Sequence, residues 1–362
     1  MPAMARPFEV GDIPAVLRLL QQYFSIDEPT IRHRFFENPC HPRESRFLRG
    51  CLLWHDGGVV GFHGAHMRQA FFGQRSLALC VHCLTYVAPA FRDHVAEIML
   101  PILTQADVDI HVANTANPQA QRLFRGLRWA QGVASCARIQ FRVTSAHRFG
   151  RLLLARNLLG RKLPAIVGTT AGLAGIGVLA CRQRIRSACT PTQPLRLERF
   201  PKPATDEFWS RLLAGNRGLL TSRTSEELDW LFGQGLKSGC DVLLARVEDA
   251  RLAGYAVLRK AVIGGEMVGR VMDWVAEDRD PCLLGDLLLD VCTYARDFRM
   301  AAIEISGFPT DVQSMVRESL PFTRKIPGNP FVIFAREQEL LKRIVEDPYG
   351  WFWGPVDGDK AN

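Results

Sequence analysis

Residues 77–92 read LALCVHCLTYVAPAFR. An apolar, β-branched and aromatic run closed by a proline is the pattern of a buried strand that turns sharply at its end. Beyond the turn, HVAEIMLPILTQA (94–106) carries apolar residues at helical spacing, so strand 77–87 leads directly into a helix. Working outward, strands are expected at 50–55 and 58–65 around the Asp56-Gly57 turn, and at 108–113, followed by a helix over NPQAQRLFRGL (117–127). DIPAVLRLLQQYF (12–24) offers Asp12 as an N-cap, Pro14 near the first turn, and Ile13, Val16, Leu17 and Leu20 on one face, which makes a helix. Hairpins followed by a strand-turn-helix describe an α/β unit.

The same order recurs further along. DGGVVGFHGA (56–65) aligns with DARLAGYAVL (249–258), pairing Gly61 with Gly254 and Phe62 with Tyr255. HCLTYVA (82–88) aligns with VMDWVA (271–276), DIHVAN (109–114) with AIEISG (302–307), Leu127–Trp129 with Leu320–Phe322, and Ile31–Phe35 with Leu228–Phe232. Five collinear blocks at offsets of 188–197 imply a duplicated unit with loop insertions. The second half is accordingly expected to hold strands 241–247, 252–261, 266–275, 301–306 and 330–335, with helices 283–298 and 310–319. A chain of 362 residues is long enough for two such cores. The expected division is an N-terminal domain (1–141), a basic, partly apolar linker (142–198), a C-terminal domain (199–345) and an aromatic tail (346–362).

The net charge of +8 is local. Ten Arg and Lys residues and no acid lie between Arg142 and Arg196; taking them from the 45 basic residues leaves the rest near balance with 37 Asp and Glu. That excludes a nucleic-acid-binding face on the folded domains and points to one anionic partner of that segment. The ten cysteines are scattered singly, and for Cys80-Val81-His82-Cys83 no further ligands stand at zinc spacing, so neither a disulfide framework nor a metal is expected. The opening MPAMARPFEVGDIPAV lacks the regions of a secretory signal, so a cytoplasmic place is expected.

The repeat unit resembles the GNAT family of acyl-CoA-dependent N-acyltransferases over about residues 6–135. Arg6-Pro7-Phe8 through Val16 is similar to the family's opening strand and helix, and Tyr86-Val87-Ala88-Pro89-Ala90-Phe91-Arg92 to the end of its fourth strand and the turn into the acyl-CoA helix. Asn114 and Asn117 through Leu123-Phe124-Arg125-Gly126-Leu127-Arg128-Trp129 is similar to its closing segment. The resemblance implies two tandem GNAT-like domains, each a mixed, mostly antiparallel sheet flanked by helices. It implies acetyl-CoA or another acyl-CoA as co-substrate and transfer to an amine such as an amino sugar or polysaccharide precursor. Val87 and Ala88 would meet the pantetheine; Arg92, Asp93, His94, Val95 and Ala96 would meet the phosphates at a helix N-terminus; Asn117 falls in the closing motif. Val95 and Glu97 stand where the family's turn has glycines, and Phe124 where it often has a tyrosine acid. The corresponding turn at Glu277-Asp278-Arg279-Asp280 holds three acids, which fits a substrate-binding or scaffolding domain better.

Mycothiol synthase-like enzymes, Fem-type aminoacyl-transferases and GNAT-like proteins encoded with bacterial exopolysaccharide pathways share this tandem arrangement, and Trp351–Asp359 looks most like the last group's tails. Three readings stay open: an N-acyltransferase, a degenerate GNAT-like scaffold, and a Fem-like enzyme drawing on charged tRNA, which the near-neutral domains disfavour. His82, Thr85 and Asp273 are the candidate catalytic residues. His82 has the ordinary pKa of a general base and is expected on the same strand face as Thr85 and Val87, while Asp273 is a base or a structural carboxylate. His63, His66 and His111 also lie on or beside strands and carry no assigned role. For the segment 147–186, with the uncharged stretch 163–181, two readings stand: an anionic membrane surface at the inner membrane, with Phe149, Leu152 and Leu153 in lipid, or helices packed on the domains.

Overall fold

The computed structural model describes residues 2–24, 26–41, 47–113, 116, 118–127, 129–131, 138–155, 194–308, 312–325, 331–346 and 351–352. The chain forms two compact units: Met1–Ala137 with Leu213–Leu231 and Ile326–Asn362, and Arg138–Leu212 with Phe232–Lys325.

In unit 1 the sheet path is β1 (Met4–Pro7), β2 (Gly50–His55), β3 (Gly58–Phe72), β4 (Arg75–Val87), β5 (Ile110–Ala113), β15 (Val332–Ala335) and β6 (Ala130–Gln131). β9 (Leu219–Thr221) lies against the far end of β3, and β16 (Trp351–Phe352) against β9. The only parallel pair on the path joins β4 to β5. One face is covered by α1 (Ile13–Leu20) and α2 (Glu28–Phe36): Ile13, Val16, Leu17, Leu20, Ile31 and Phe35 pack on Leu52, Phe62 and Cys83. α3 (Val95–Leu103) and α4 (Pro118–Gly126) cover the other, with Ile98 and Ile102 against Cys80, Ala65 and Val87.

Unit 2 repeats the path: β8 (Leu195–Leu197), β10 (Asp241–Glu248), β11 (Arg251–Ile263), β12 (Glu266–Ala276), β13 (Ala302–Ser306), β7 (Arg138–Val143) and β14 (Phe322–Lys325), with β12 and β13 its parallel pair. Its helices are α5 (Ala146–Ala155), α6 (Lys202–Ala214), the later part of α7 (Ser225–Ser238), α8 (Pro281–Asp297) and α9 (Gln313–Ser319), while α10 (Gln338–Glu346) belongs to unit 1. Leu284, Leu287, Leu288 and Val291 of α8 fill the core against Ala256, Leu258 and Trp274. Both hairpins slip register at matching places, Leu53/Trp54 and Arg246/Val247. The aligned glycines are packing glycines: a Cβ on Gly61 would meet Leu53 at 3.0 Å, and one on Gly254 the Val275 carbonyl at 2.9 Å.

Each domain is thus an α/β, mostly antiparallel mixed sheet flanked by helices, and the two share one strand order. Residues 330–335, expected in the second half's sheet, instead place β15 in unit 1, where it pairs with β5 (Val332↔Ala113). β7, from the first half, fills the same slot in unit 2 between β13 and β14. Both segments alternate apolar residues, and periodicity specifies a strand without naming its sheet.

The described part of the basic segment packs on unit 2. Phe149 lies against Phe141, Leu152 is buried with Val268 and Ala301, and Arg151 pairs with Glu266 at 2.6 Å. Of the two readings for this segment, Phe149 and Leu152 fit helices packed on the domain, with Leu152 buried and Phe149 half-buried. Residues 156–193, which include the uncharged stretch 163–181, lie outside the described residues. Among the described residues no helix is long and apolar enough to cross a membrane.

Candidate functional site

β4 is hydrogen-bonded to β3 along its length but, among the described residues, to β5 only at Leu79↔Ile110, Cys80↔His111 and Val81↔Val112. It then continues to Val87. Among the described residues, β4 beyond Val81 has no register partner on the β5 side, and this stretch between the two parallel strands is the wedge. Leu84 sits in the wedge at φ 50°, in the left-handed region, and the β3–β4 register shifts beside it between Phe62 and Gly64. This is a β-bulge, which re-aims the residues that follow it.

His82, Thr85 and Val87 share one face of β4 as expected, but because of the bulge and not because of simple alternation. Separations of three and five residues put His82 opposite the other two in a regular strand. The extra residue reverses that parity. Thr85 and His82 both reach His63, and Val87 packs in the same cluster as Cys80, whereas Leu84 and Tyr86 face α1 and α2.

At the end of β4, Val87 is buried and Ala88 donates its N–H to the Val60 carbonyl. A 3-10 turn, Pro89–His94, then feeds α3. No side chain caps the start of α3, whose first amide, Val95 N–H, donates back to the Arg92 carbonyl of the turn. Arg92, Asp93 and Ala96 are exposed, Val95 is half-buried, and Glu97 in the first turn holds the His94 ring at 2.7 Å. Glu97 thus places a carboxylate beside the helix start that the resemblance assigns to phosphate. Asn117, Asn114 and Arg128 lie outside the described residues.

Behind Thr85 a polar chain enters the core. Thr85 Oγ1 and His63 Nδ1 are 2.7 Å apart, His63 Nε2 and His82 Nδ1 2.7 Å, and His82 Nε2 and His111 Nδ1 3.0 Å. Cys80 Sγ lies 3.8 Å from His82 Nε2. Cys80, His63 and His111 are wholly buried and His82 nearly so. Burial pushes His63 down to about 3, aided by His111, and His111 to about 4, aided by Arg336; His82 falls well below its ordinary value by burial and its histidine neighbours. All three rings are neutral at pH 7, and each shared contact carries one proton. His82 is therefore no solvent-facing base. It positions Thr85 through His63, and the exposed group at the wedge is Thr85 itself.

Phe124, at the position of the family's tyrosine, is buried against Trp129 at 4.4 Å between ring centroids and offers no proton. His63 and His111 carry no signal when strands are read singly. Paired registers reveal them, because Cys80 faces His111 directly and Ala65 faces His82, two residues along from His63.

The counterpart in unit 2 differs in chemistry. β12 likewise outruns its ladder with β13, which ends at Arg270↔Glu304 while β12 continues to Ala276. Asp273 is buried and accepts a hydrogen bond from the Tyr255 hydroxyl at 2.7 Å. Asp280 caps α8 by accepting from the Cys282 N–H at 2.8 Å, and Glu277 pairs with Arg211 at 2.7 Å. The helix start that would meet a phosphate is already occupied by its own carboxylate.

No family model matches the chain, and no curated protein matches it. Solved structures do. A GCN5-related N-acetyltransferase from Anabaena variabilis is 11% identical with a TM-score of 0.55, covering 92% of this chain and 72% of that one. Saccharomyces cerevisiae N-myristoyltransferase with bound myristoyl-CoA is 11% identical with a TM-score of 0.57, covering 92% and 80%. A probable N-acyltransferase from Enterococcus faecalis is 10% identical with a TM-score of 0.58, covering 94% and 74%. The chain has the fold of the GNAT N-acyltransferases.

Proposed function

We propose that unit 1 is an acyl-CoA-dependent N-acyltransferase domain that transfers an acyl group, acetyl in the simplest case, to an amine such as an amino sugar or polysaccharide precursor. The observation that carries this is the β4–β5 wedge with its bulge at Leu84, followed by the turn into α3. A pantetheine arm entering the wedge runs along β4 at Val87 and past Ala88, whose N–H and carbonyl are held by Val60 and Phe91, and its phosphates lie at the turn into α3 around Arg92–Ala96. The thioester carbonyl then lies beside Leu84 and Thr85. Attack by the neutral amine forms the C–N bond, and the oxyanion takes hydrogen bonds from the wedge amides and the Thr85 hydroxyl. Collapse breaks the C–S bond; the amine's proton passes through water to the CoA thiolate, giving amide and free thiol. Unit 2, with its helix start capped by Asp280, serves as the acceptor-binding or scaffolding half.

One observation favours a second reading, a degenerate GNAT-like binding protein. The Glu97 carboxylate stands in the first turn of α3, where it repels phosphate. Incubation with acetyl-CoA and a panel of amines, amino sugars included, separates the two readings through thiol release. Release that requires an amine and falls in Thr85→Val supports transfer. Acetyl-CoA binding with no amine-dependent release on any acceptor supports the binding reading.

A further inference from the structure

Three neutral histidines and a thiol in one buried cluster are a costly way to fill a core, since apolar side chains of similar volume pack there without polar groups to satisfy. Two contiguous facts give the cluster a purpose. Cys80, His82 and His111 each present one ligand atom, and all three atoms lie within 4.8 Å of one another. They also come from the paired registers of β4 and β5, where Cys80 and His111 are direct neighbours and His82 follows two residues later on the same face. We propose that Cys80 Sγ, His82 Nε2 and His111 Nδ1 form a three-coordinate site for a single soft cation, Cu(I), in the core of unit 1.

The distances suit such an ion. With metal–sulfur near about 2.3 Å and metal–nitrogen near about 2.0–2.1 Å, three ligands in a plane stand about 3.8 Å (S to N) and about 3.6 Å (N to N) apart. Here Sγ to Nε2 is 3.8 Å and Nε2 to Nδ1 is 3.0 Å, so loading requires the two rings to part by about half an ångström. On the His82 side the outer shell is in place, while the buried His111 Nε2 has no hydrogen-bond partner among the described residues. A metal on His82 Nε2 fixes the proton on Nδ1, which donates to His63 Nε2, and His63 Nδ1–H then donates to Thr85 Oγ1. Every hydrogen bond of that chain then has one direction.

Charge selects the ion. Among the described residues no carboxylate hydrogen-bonds to Cys80, His63, His82 or His111, and the nearest influence on His111 besides burial is cationic Arg336. A thiolate and two neutral imidazoles cancel one positive charge. Zn(II) leaves a net charge in an apolar setting of Phe124, Trp129 and Phe334 and also wants a fourth ligand, whereas thiolate-bound Cu(I) is neutral and needs none. On loading, the S–H bond breaks, its proton leaves to solvent, and the S–Cu bond forms with no change of oxidation state.

The test uses the intact chain. Cu(I) is titrated anaerobically against a competing chelator, with Zn(II) and Co(II) in parallel arms, and native mass spectrometry and X-ray absorption are recorded on the loaded wild type. The expected result is one Cu(I) per chain with one sulfur and two nitrogen ligands, its near-ultraviolet thiolate band absent in Cys80→Ser. His63→Gln, which alters only the outer shell, should weaken affinity by about tenfold or more. No retained copper, an absorption spectrum without a sulfur ligand, or an unchanged band in Cys80→Ser overturns the site. Retention of Zn(II) with rejection of Cu(I) overturns the assignment of the ion.

Discussion

Glu97 is the third residue of α3, half-exposed, and tied only to His94. For phosphates of acyl-CoA at the start of that helix, the charge repulsion is worked for a separation of about 7 Å between the Glu97 carboxylate and a diphosphate bearing two charges. Each charge pair at that distance in water costs about 0.6 kcal/mol, or about 1.2 kcal/mol for both. With Debye lengths near about 30 Å at 10 mM salt and about 8 Å at 0.15 M, about four-fifths and about two-fifths of this survive. Glu97→Gln should therefore tighten acetyl-CoA binding by about fivefold at 10 mM salt and about twofold at 0.15 M. The same change removes an acid from the positive end of the helix and should lower folding stability by about 0.5 kcal/mol. Titration calorimetry at the two salt concentrations and urea unfolding measure both effects. Their opposite signs are diagnostic: affinity that falls or stays fixed at both salts places the phosphates elsewhere.

Other expectations follow from single side chains. Glu227→Gln leaves the Arg68 guanidinium buried without its carboxylate partner, 2.5 Å away in the wild type, and should cost about 3–5 kcal/mol in urea unfolding; a loss below about 1 kcal/mol contradicts the burial. Leu84→Val forces a β-branched residue into the left-handed region, so the bulge and acetyl-CoA binding should both suffer, whereas Leu84→Asn, which tolerates φ 50°, should keep binding. Equal affinities in the two variants would detach the wedge from the bulge. Burial first and Arg49 second hold His41 down to about 3, while its unfolded value is about 6.5. The stability this neutral ring brings is full above pH 6.5 and is lost as pH falls towards 3, about 2 kcal/mol by pH 5. His41→Asn should flatten the pH dependence of unfolding by about one proton over that range, and an unchanged slope refutes the assignment.

The strands and helices around the wedge were legible because their signals are local. Apolar alternation marks β2, β3, β4, β10, β11 and β12, and Pro89 and Pro281 mark turns into helices. The aligned Gly61 and Gly254 pointed to a repeated close approach that both units contain. What was not legible depends on pairing. Residues 138–143 and 332–335 alternate alike, and only the partners they find, β13 and β14 for one and β5 for the other, decide their sheets. The site shows the same division. Val87, Ala88 and the turn to α3 follow from sequence order, but the bulge at Leu84, which puts His82 and Thr85 on one face, is not encoded in strand periodicity. His63 and His111 become visible only when neighbouring strands are set in register, since residues 19 and 29 positions away supply His82's ring partners.

The central claim is that acyl-CoA enters the wedge of unit 1. Hydrogen–deuterium exchange on the whole chain, with and without saturating acetyl-CoA, tests it at the level of individual peptides. Slowed exchange is predicted across residues 82–98, where β4 beyond its ladder with β5 and the start of α3 take up the ligand, with no change across 270–284, where Asp280 already caps the helix. Protection at 270–284 alone, or at neither segment with ligand bound, would contradict the account.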